Sequence, residues 1–144
     1  MTLLMINVKT LLLLAIVVII AVSCATTMTK RNLPAKTVAS WSDVGVDEFQ
    51  TLIADPTVQL LDVRTQEEFD EGHISGATLI DVNDSTFVEK AMDVLDIQRP
   101  VAVYCRSGRR SARAASQLAS KGLMVTNLNG GVIAWQDQGK SLVK

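Results

Sequence analysis

From Val38 onward the chain alternates short aliphatic or β-branched runs with stretches whose apolar residues recur at helical spacing. Val38 to Trp41 is expected as a first strand. Asp43 or Gly45 starts a helix whose Val46, Phe49, Leu52 and Ile53 share one face, and Asp55-Pro56 ends it. Val58 to Asp62 reads as the second strand. Thr65, with Glu68 three residues on, forms a capping box for a short helix over Thr65 to Glu71, closed by Gly72. Ala77 to Val82 is a weaker strand, and Ser85 is placed to cap a helix bearing Phe87, Val88, Met92 and Leu95. Val101 to Tyr104 is the kind of unbroken apolar run that a buried parallel strand shows. It ends on Cys105, and a tight loop then leads into a helix over Ser111 to Lys121 with Gly122 as its C-cap. Val125 to Leu128 is the last strand, and Gly130-Gly131 turns the chain into a short helix carrying Val132, Ile133 and Trp135.

Strands separated by helices of this length imply βαβ units with right-handed crossovers, hence an α/β fold with a parallel sheet covered on both faces. That pattern occupies residues 38–144 as one domain. The chain of 144 residues leaves room for little else. Before the domain, Lys9 precedes the run Leu11 to Val22, followed by Ser23 and Cys24. The run is shorter than the roughly 20 residues a membrane span needs, so residues 1–23 read as an export signal. Residues 24–37, rich in Thr and Lys with Pro34, read as a tether.

Composition narrows the partners. A net charge of -1 gives no basis for a nucleic-acid partner, and the arginines cluster locally instead of spreading into a patch. Of the two cysteines, Cys24 lies at the processing point, which leaves Cys105 as the only thiol of the folded domain. In an open α/β sheet, ligands bind outside the carboxyl ends of the strands, where loop N–H groups converge. A thiol held there, close to Arg106, Arg109 and Arg110, is expected to have a lowered pKa. Cys105 is therefore the candidate nucleophile, and catalysis of this kind calls for no metal or organic cofactor. Asp62 and Arg64 end a strand on the same edge, and bracing of the loops is their leading reading. His73, the only histidine, sits in a turn and reads as structural.

Several motifs in order carry a family resemblance: Leu61-Asp-Val-Arg64, Glu68-Phe69, Gly72 to Ala77, Cys105-Arg-Ser-Gly-Arg-Arg110 and Leu128 to Trp135. Together they resemble the single-domain rhodaneses, the thiosulfate and persulfide sulfurtransferases. The resemblance implies a five-stranded parallel sheet with helices on both sides. It implies that Cys105 takes a sulfane sulfur from thiosulfate or a persulfide donor and passes it to a thiophilic acceptor, cyanide in an assay or a thiol in the cell. Arg106, Ser107, Gly108, Arg109 and Arg110 would bind the anionic donor, with Arg106 and Arg110 the favoured contacts. A separate likeness, Ala21-Val-Ser-Cys24, resembles the lipobox of bacterial lipoproteins, although that family prefers Leu where Ala21 stands. It implies a lipid on Cys24 and a periplasmic monomer anchored to the outer membrane, with Ala25 arguing against inner-membrane retention.

Other readings stay open at this point. Simple cleavage of the signal competes with lipidation. A sulfur carrier or sensing module with little activity on free thiosulfate fits the same loop. A small-anion reductase or phosphatase is disfavoured, because Ser111 stands where the phosphatase pattern has its arginine.

Overall fold

The central strand is the most apolar, and the rest of the domain is layered about it. The structure is a computed structural model that describes residues 40–144; the proposed export signal, Cys24, the tether and Val38 lie outside the described residues. Five strands, β1 (Trp41–Val44), β2 (Gln59–Asp62), β3 (Thr78–Leu79), β4 (Val101–Tyr104) and β5 (Val125–Leu128), form one sheet in the order β1-β5-β4-β2-β3. Every pairing is parallel. Five helices connect them: α1 (Val46–Ile53), α2 (Gln66–Glu71), α3 (Phe87–Val94), α4 (Arg109–Ser120) and α5 (Gly131–Asp137). The fold is α/β with a five-stranded parallel sheet flanked by helices.

Alternation along β4 divides the core in two. Val101 and Val103 point into one cluster with Leu61, Phe87, Ala115 and Leu118, under α3 and α4. Ala102 and Tyr104 point into the other with Val46, Phe49, Leu128 and Trp135, under α1 and α5. All four β4 residues are fully buried. Burying each large apolar side chain contributes about 1.5–3 kcal/mol, so β4 is the least movable part of the sheet. Its carboxyl end is where Cys105 sits.

Most expected elements form near where the pattern puts them. The strand expected over Ala77 to Val82 shrinks to Thr78–Leu79, the helix expected from Ser111 begins at Arg109, and further differences lie at β1 and at the ends of α3 and α4. The first strand begins at Trp41, where it was expected to end, and Asp43 lies inside it instead of capping α1. Trp41 to Asp43 are all exposed, so this edge strand has no apolar alternation to mark it; its position is set by pairing Trp41 to Val44 with Val125 to Leu128. At α3 the N-cap is Thr86, and the Asp84 carboxylate, not Ser85, accepts the Thr86 N–H at 2.8 Å. At the end of α4 the C-cap is Lys121, and Gly122 follows at φ +99°. Gly122 N–H donates to Ala119 O and Leu123 N–H to Leu118 O, a Schellman ending that needs a residue at positive φ.

Candidate active site

The loop between β4 and α4 wraps its main chain around the Cys105 sulfur. Gly108 N–H donates to Sγ at 3.2 Å, and the Ser111 hydroxyl lies 3.3 Å from it. That hydroxyl is also 3.1 Å from Gly108 O. The carbonyl, however, already accepts Ala112 N–H at 3.0 Å and Asn127 Nδ2 at 3.2 Å, which leaves the single Ser111 proton for sulfur. Burial is the largest influence on the Cys105 thiol and pushes its pKa up. The Ser111 hydroxyl and the N–H groups of Ser111, Ser107 and Gly108 together outweigh it, and the thiol lies below its ordinary value.

The loop is held open from behind by α5. Val132 N–H donates to Cys105 O at 2.9 Å and Ile133 N–H to Arg106 O at 3.2 Å. With the carbonyls engaged there, the loop N–H groups are turned toward the sulfur. The approach is close enough to require glycine: a Cβ on Gly131 would fall 2.3 Å from Cys105 O and 2.6 Å from Arg106 O. Gly108, at φ +87°, is also restrained, since a Cβ there would fall 3.0 Å from Gly130 N. The sequence showed Gly130-Gly131 only as a turn. Two glycines directly before an apolar helix were the available signal, but their partner lies on another loop. Asn127, which also donates to Asp43 at 2.6 Å, was missed as well.

The expected charged residues divide. Arg64 is buried and committed to Asp62, with Nη2 at 2.7 Å from Oδ2 and Nε at 3.0 Å and 2.9 Å from the two carboxylate oxygens. It also donates to Gly72 O at 2.8 Å and stacks over Tyr104, whose hydroxyl accepts Ile74 N–H at 3.0 Å. These contacts tie the ends of β2, α2 and β4 together. Arg110 makes a two-pronged pair with Glu68, at 2.7 Å and 2.6 Å. Glu68 belongs to the expected capping box, which is present with both Thr65 bonds. Arg106, Ser107 and Arg109 are exposed, and His73 stacks on Phe69 with Nδ1 3.1 Å from Phe69 O. Ser107, Arg109, Arg110 and Arg113 line one open cavity of about 310 Å³. Arg64, Arg106, Glu71 and Ile133 border another of about 560 Å³.

The family model for the rhodanese-like domain matches residues 45–138, well over half of the chain. The chain belongs to the rhodanese-like domain family. Among curated relatives it is 33% identical to thiosulfate sulfurtransferase GlpE of Shewanella oneidensis, over 69% of this chain and 96% of that protein. It is 34% identical to thiosulfate sulfurtransferase 18 of Arabidopsis thaliana, over 65% and 77%. A rhodanese-like domain protein from Staphylococcus aureus superposes with a TM-score of 0.60 at 30% identity, covering 72% of this chain and 99% of that one. At the level of the family, the likeness is to sulfurtransferases.

Proposed function

We propose that the chain moves a sulfane sulfur through a persulfide on Cys105. The Cys105 thiolate attacks the outer sulfur of thiosulfate, a bond forms between Sγ and that sulfur, and the S–S bond of the donor breaks with sulfite leaving as a dianion. A thiophilic acceptor then attacks the terminal sulfur and restores the thiolate. The observation that carries this reading is the convergence of the Gly108 N–H and the Ser111 hydroxyl on a buried Sγ at the end of β4. Donors fixed before reaction stabilise the thiolate and its persulfide without reorganising. Arg106 and Arg109, with Ser107, offer charge and hydrogen bonds to the donor and to departing sulfite. Thiocyanate formation from thiosulfate and cyanide tests the reading: the chain should turn over, and Cys105→Ser should not while keeping its fold by circular dichroism. Turnover by Cys105→Ser would refute it.

A second reading, a sulfur carrier loaded from a persulfide and poor with free thiosulfate, is favoured by the engagement of Arg110 with Glu68, which removes one cation from a dianionic donor. One relative, 31% identical over 67% of this chain and 52% of its own length, is named a putative sulfur carrier protein, YrkF of Bacillus subtilis. Comparing kcat/KM for thiosulfate and for a persulfide donor separates the two. For its setting we propose export and lipidation at Cys24, supported by the Ala21 to Cys24 pattern. Labelled fatty acid should enter the full chain in a bacterial host and be absent from Cys24→Ala; equal labelling would refute it.

A further inference from the structure

Asn127 is a polar side chain that packing alone does not explain. It stands on β5 with only 2% of its surface exposed. Its Oδ1 is buried without a hydrogen-bond partner among the described residues, a destabilising state that an apolar residue of the same size would avoid. Turning the amide over gives no relief, because Oδ1 would then face Asp43 Oδ1 and Gly108 O, both acceptors. What the residue supplies is its amide nitrogen. Nδ2 donates to Asp43 Oδ1 at 2.6 Å and to Gly108 O at 3.2 Å. Asp43 and Asn127 are direct partners in the parallel pairing of β1 with β5, so both side chains leave the sheet on one face. Val125, two residues before Asn127, packs on that face with Ala115 and Leu118 of α4.

The contact to Gly108 O matters because of what else reaches that oxygen. A carbonyl oxygen has two lone pairs. Ala112 N–H takes one, at 3.0 Å, in the first turn of α4, and Asn127 takes the other. The Ser111 hydroxyl lies 3.1 Å from the same oxygen and 3.3 Å from Cys105 Sγ, and it has one proton to give. With the second lone pair open, the carbonyl would be the nearer acceptor. We propose that Asn127, aimed by Asp43, is a positioning residue for activation of the sulfur. By occupying Gly108 O it commits the Ser111 proton to Cys105 Sγ, and so keeps the cysteine in its nucleophilic form. The active site thereby extends to the edge strand β1, through a residue whose sequence pattern suggested only a helix cap. The proposal rests on the persulfide reading for the nucleophilic role of Cys105, but ionisation of the thiol is measurable whether or not sulfur is transferred.

The test follows thiolate formation at Cys105 in the full chain by ultraviolet absorbance across pH. Each chain is measured against its own Cys105→Ser form, so that Cys24 does not contribute. Asn127→Leu, of similar volume, should hold about tenfold less thiolate than the native chain at a pH below both midpoints, the order expected for loss of one hydrogen bond to a charged group. In a Ser111→Ala background the same substitution should change nothing, since the proton it redirects is gone. A bracing role alone would lower stability in urea but leave the midpoint in place, or move it equally in both backgrounds. Asp43 gives a second route at an exposed position. Asp43→Asn and Asp43→Ala both remove the carboxylate charge, but only the alanine removes the acceptor that aims Asn127. Asp43→Ala should therefore hold about twofold to fivefold less thiolate than Asp43→Asn, the range of one ordinary hydrogen bond. If Asn127→Leu does not fold, the two Asp43 variants decide alone. An unmoved midpoint in Asn127→Leu, a shift that persists in Ser111→Ala, or equal thiolate in the Asp43 variants would overturn the positioning role and leave the persulfide reading standing. A native chain that forms the thiolate below the ordinary thiol range yet gains no sulfur from any donor would overturn the persulfide reading alone.

Discussion

Two arginine–carboxylate pairs flank the Cys105 loop, and they differ in depth. The Arg64 and Asp62 side chains are 5% and 0% exposed, and those of Arg110 and Glu68 are 27% and 24% exposed. The buried pair adds a bond to Gly72 O and a stack on Tyr104, so that the ends of three elements are fastened at one point. The shallower pair joins the capping box of α2 to the first turn of α4. Neither guanidinium hydrogen-bonds Sγ; the groups that do are a backbone N–H and a hydroxyl. Two of the guanidinium groups around the Cys105 loop are therefore spent on architecture, and the sulfur itself is served by neutral donors.

That contrast can be broken most forcibly at Asp62. Asp62→Ala leaves the Arg64 charge buried without its partner, and the expected loss is about 3–5 kcal/mol of stability, read from urea denaturation. A loss under 1 kcal/mol would mean that the pair is not the brace described. Ser111→Ala sharpens the other side of the comparison. Burial already pushes the Cys105 thiol up, and the Ser111 hydroxyl is the foremost of the groups that bring it down. Without it, the acid limb of the pH–rate profile, which in the native chain extends below the ordinary thiol range, should move to higher pH. An unmoved limb would assign thiolate stabilisation to the backbone alone.

Glu68→Gln is expected to have a smaller effect, about 1 kcal/mol as for other partly exposed pairs. By releasing Arg110 it should lower KM for thiosulfate with kcat little changed; a raised KM would show that Arg110 serves the donor best while clamped. The smallest effect is its pH dependence. Hydrogen bonds from Arg110 hold the Glu68 carboxyl below the ordinary glutamate range, against the opposing effect of burial. The folded state thus binds this proton less tightly than the unfolded chain. The stabilisation is fully present above the unfolded value of about 4.3 and fades as pH falls through the lower folded value. The stability gap between the native chain and Glu68→Gln should close in acid, and a gap that persists would contradict the linkage.

How much of this was legible beforehand follows from where the determinants lie. The α2 capping box, the buried run of β4 and the tight loop that begins at Cys105 are written in contiguous residues, and each forms as expected. β1 was displaced because its residues are exposed, so only its pairing with β5 sets its limits. The favoured donor contact at Arg110 took no account of Glu68, which is 42 residues away in sequence and meets it only in the folded chain. Gly131 is similar: the turn is visible locally, but the Cys105 and Arg106 carbonyls that exclude a Cβ are brought there by the sheet. Sequence pattern thus conveyed what neighbours along the chain determine, and the clamp and the rear wall of the cradle depended on contacts across the fold.

The most direct measurement is the intact mass of the full chain after thiosulfate and again after cyanide. A gain of about 32 Da, one sulfur, located on Cys105 and removed by cyanide is the result expected of covalent sulfur transfer. No gain with thiosulfate or with a persulfide donor, or a gain that survives in Cys105→Ser, would contradict it.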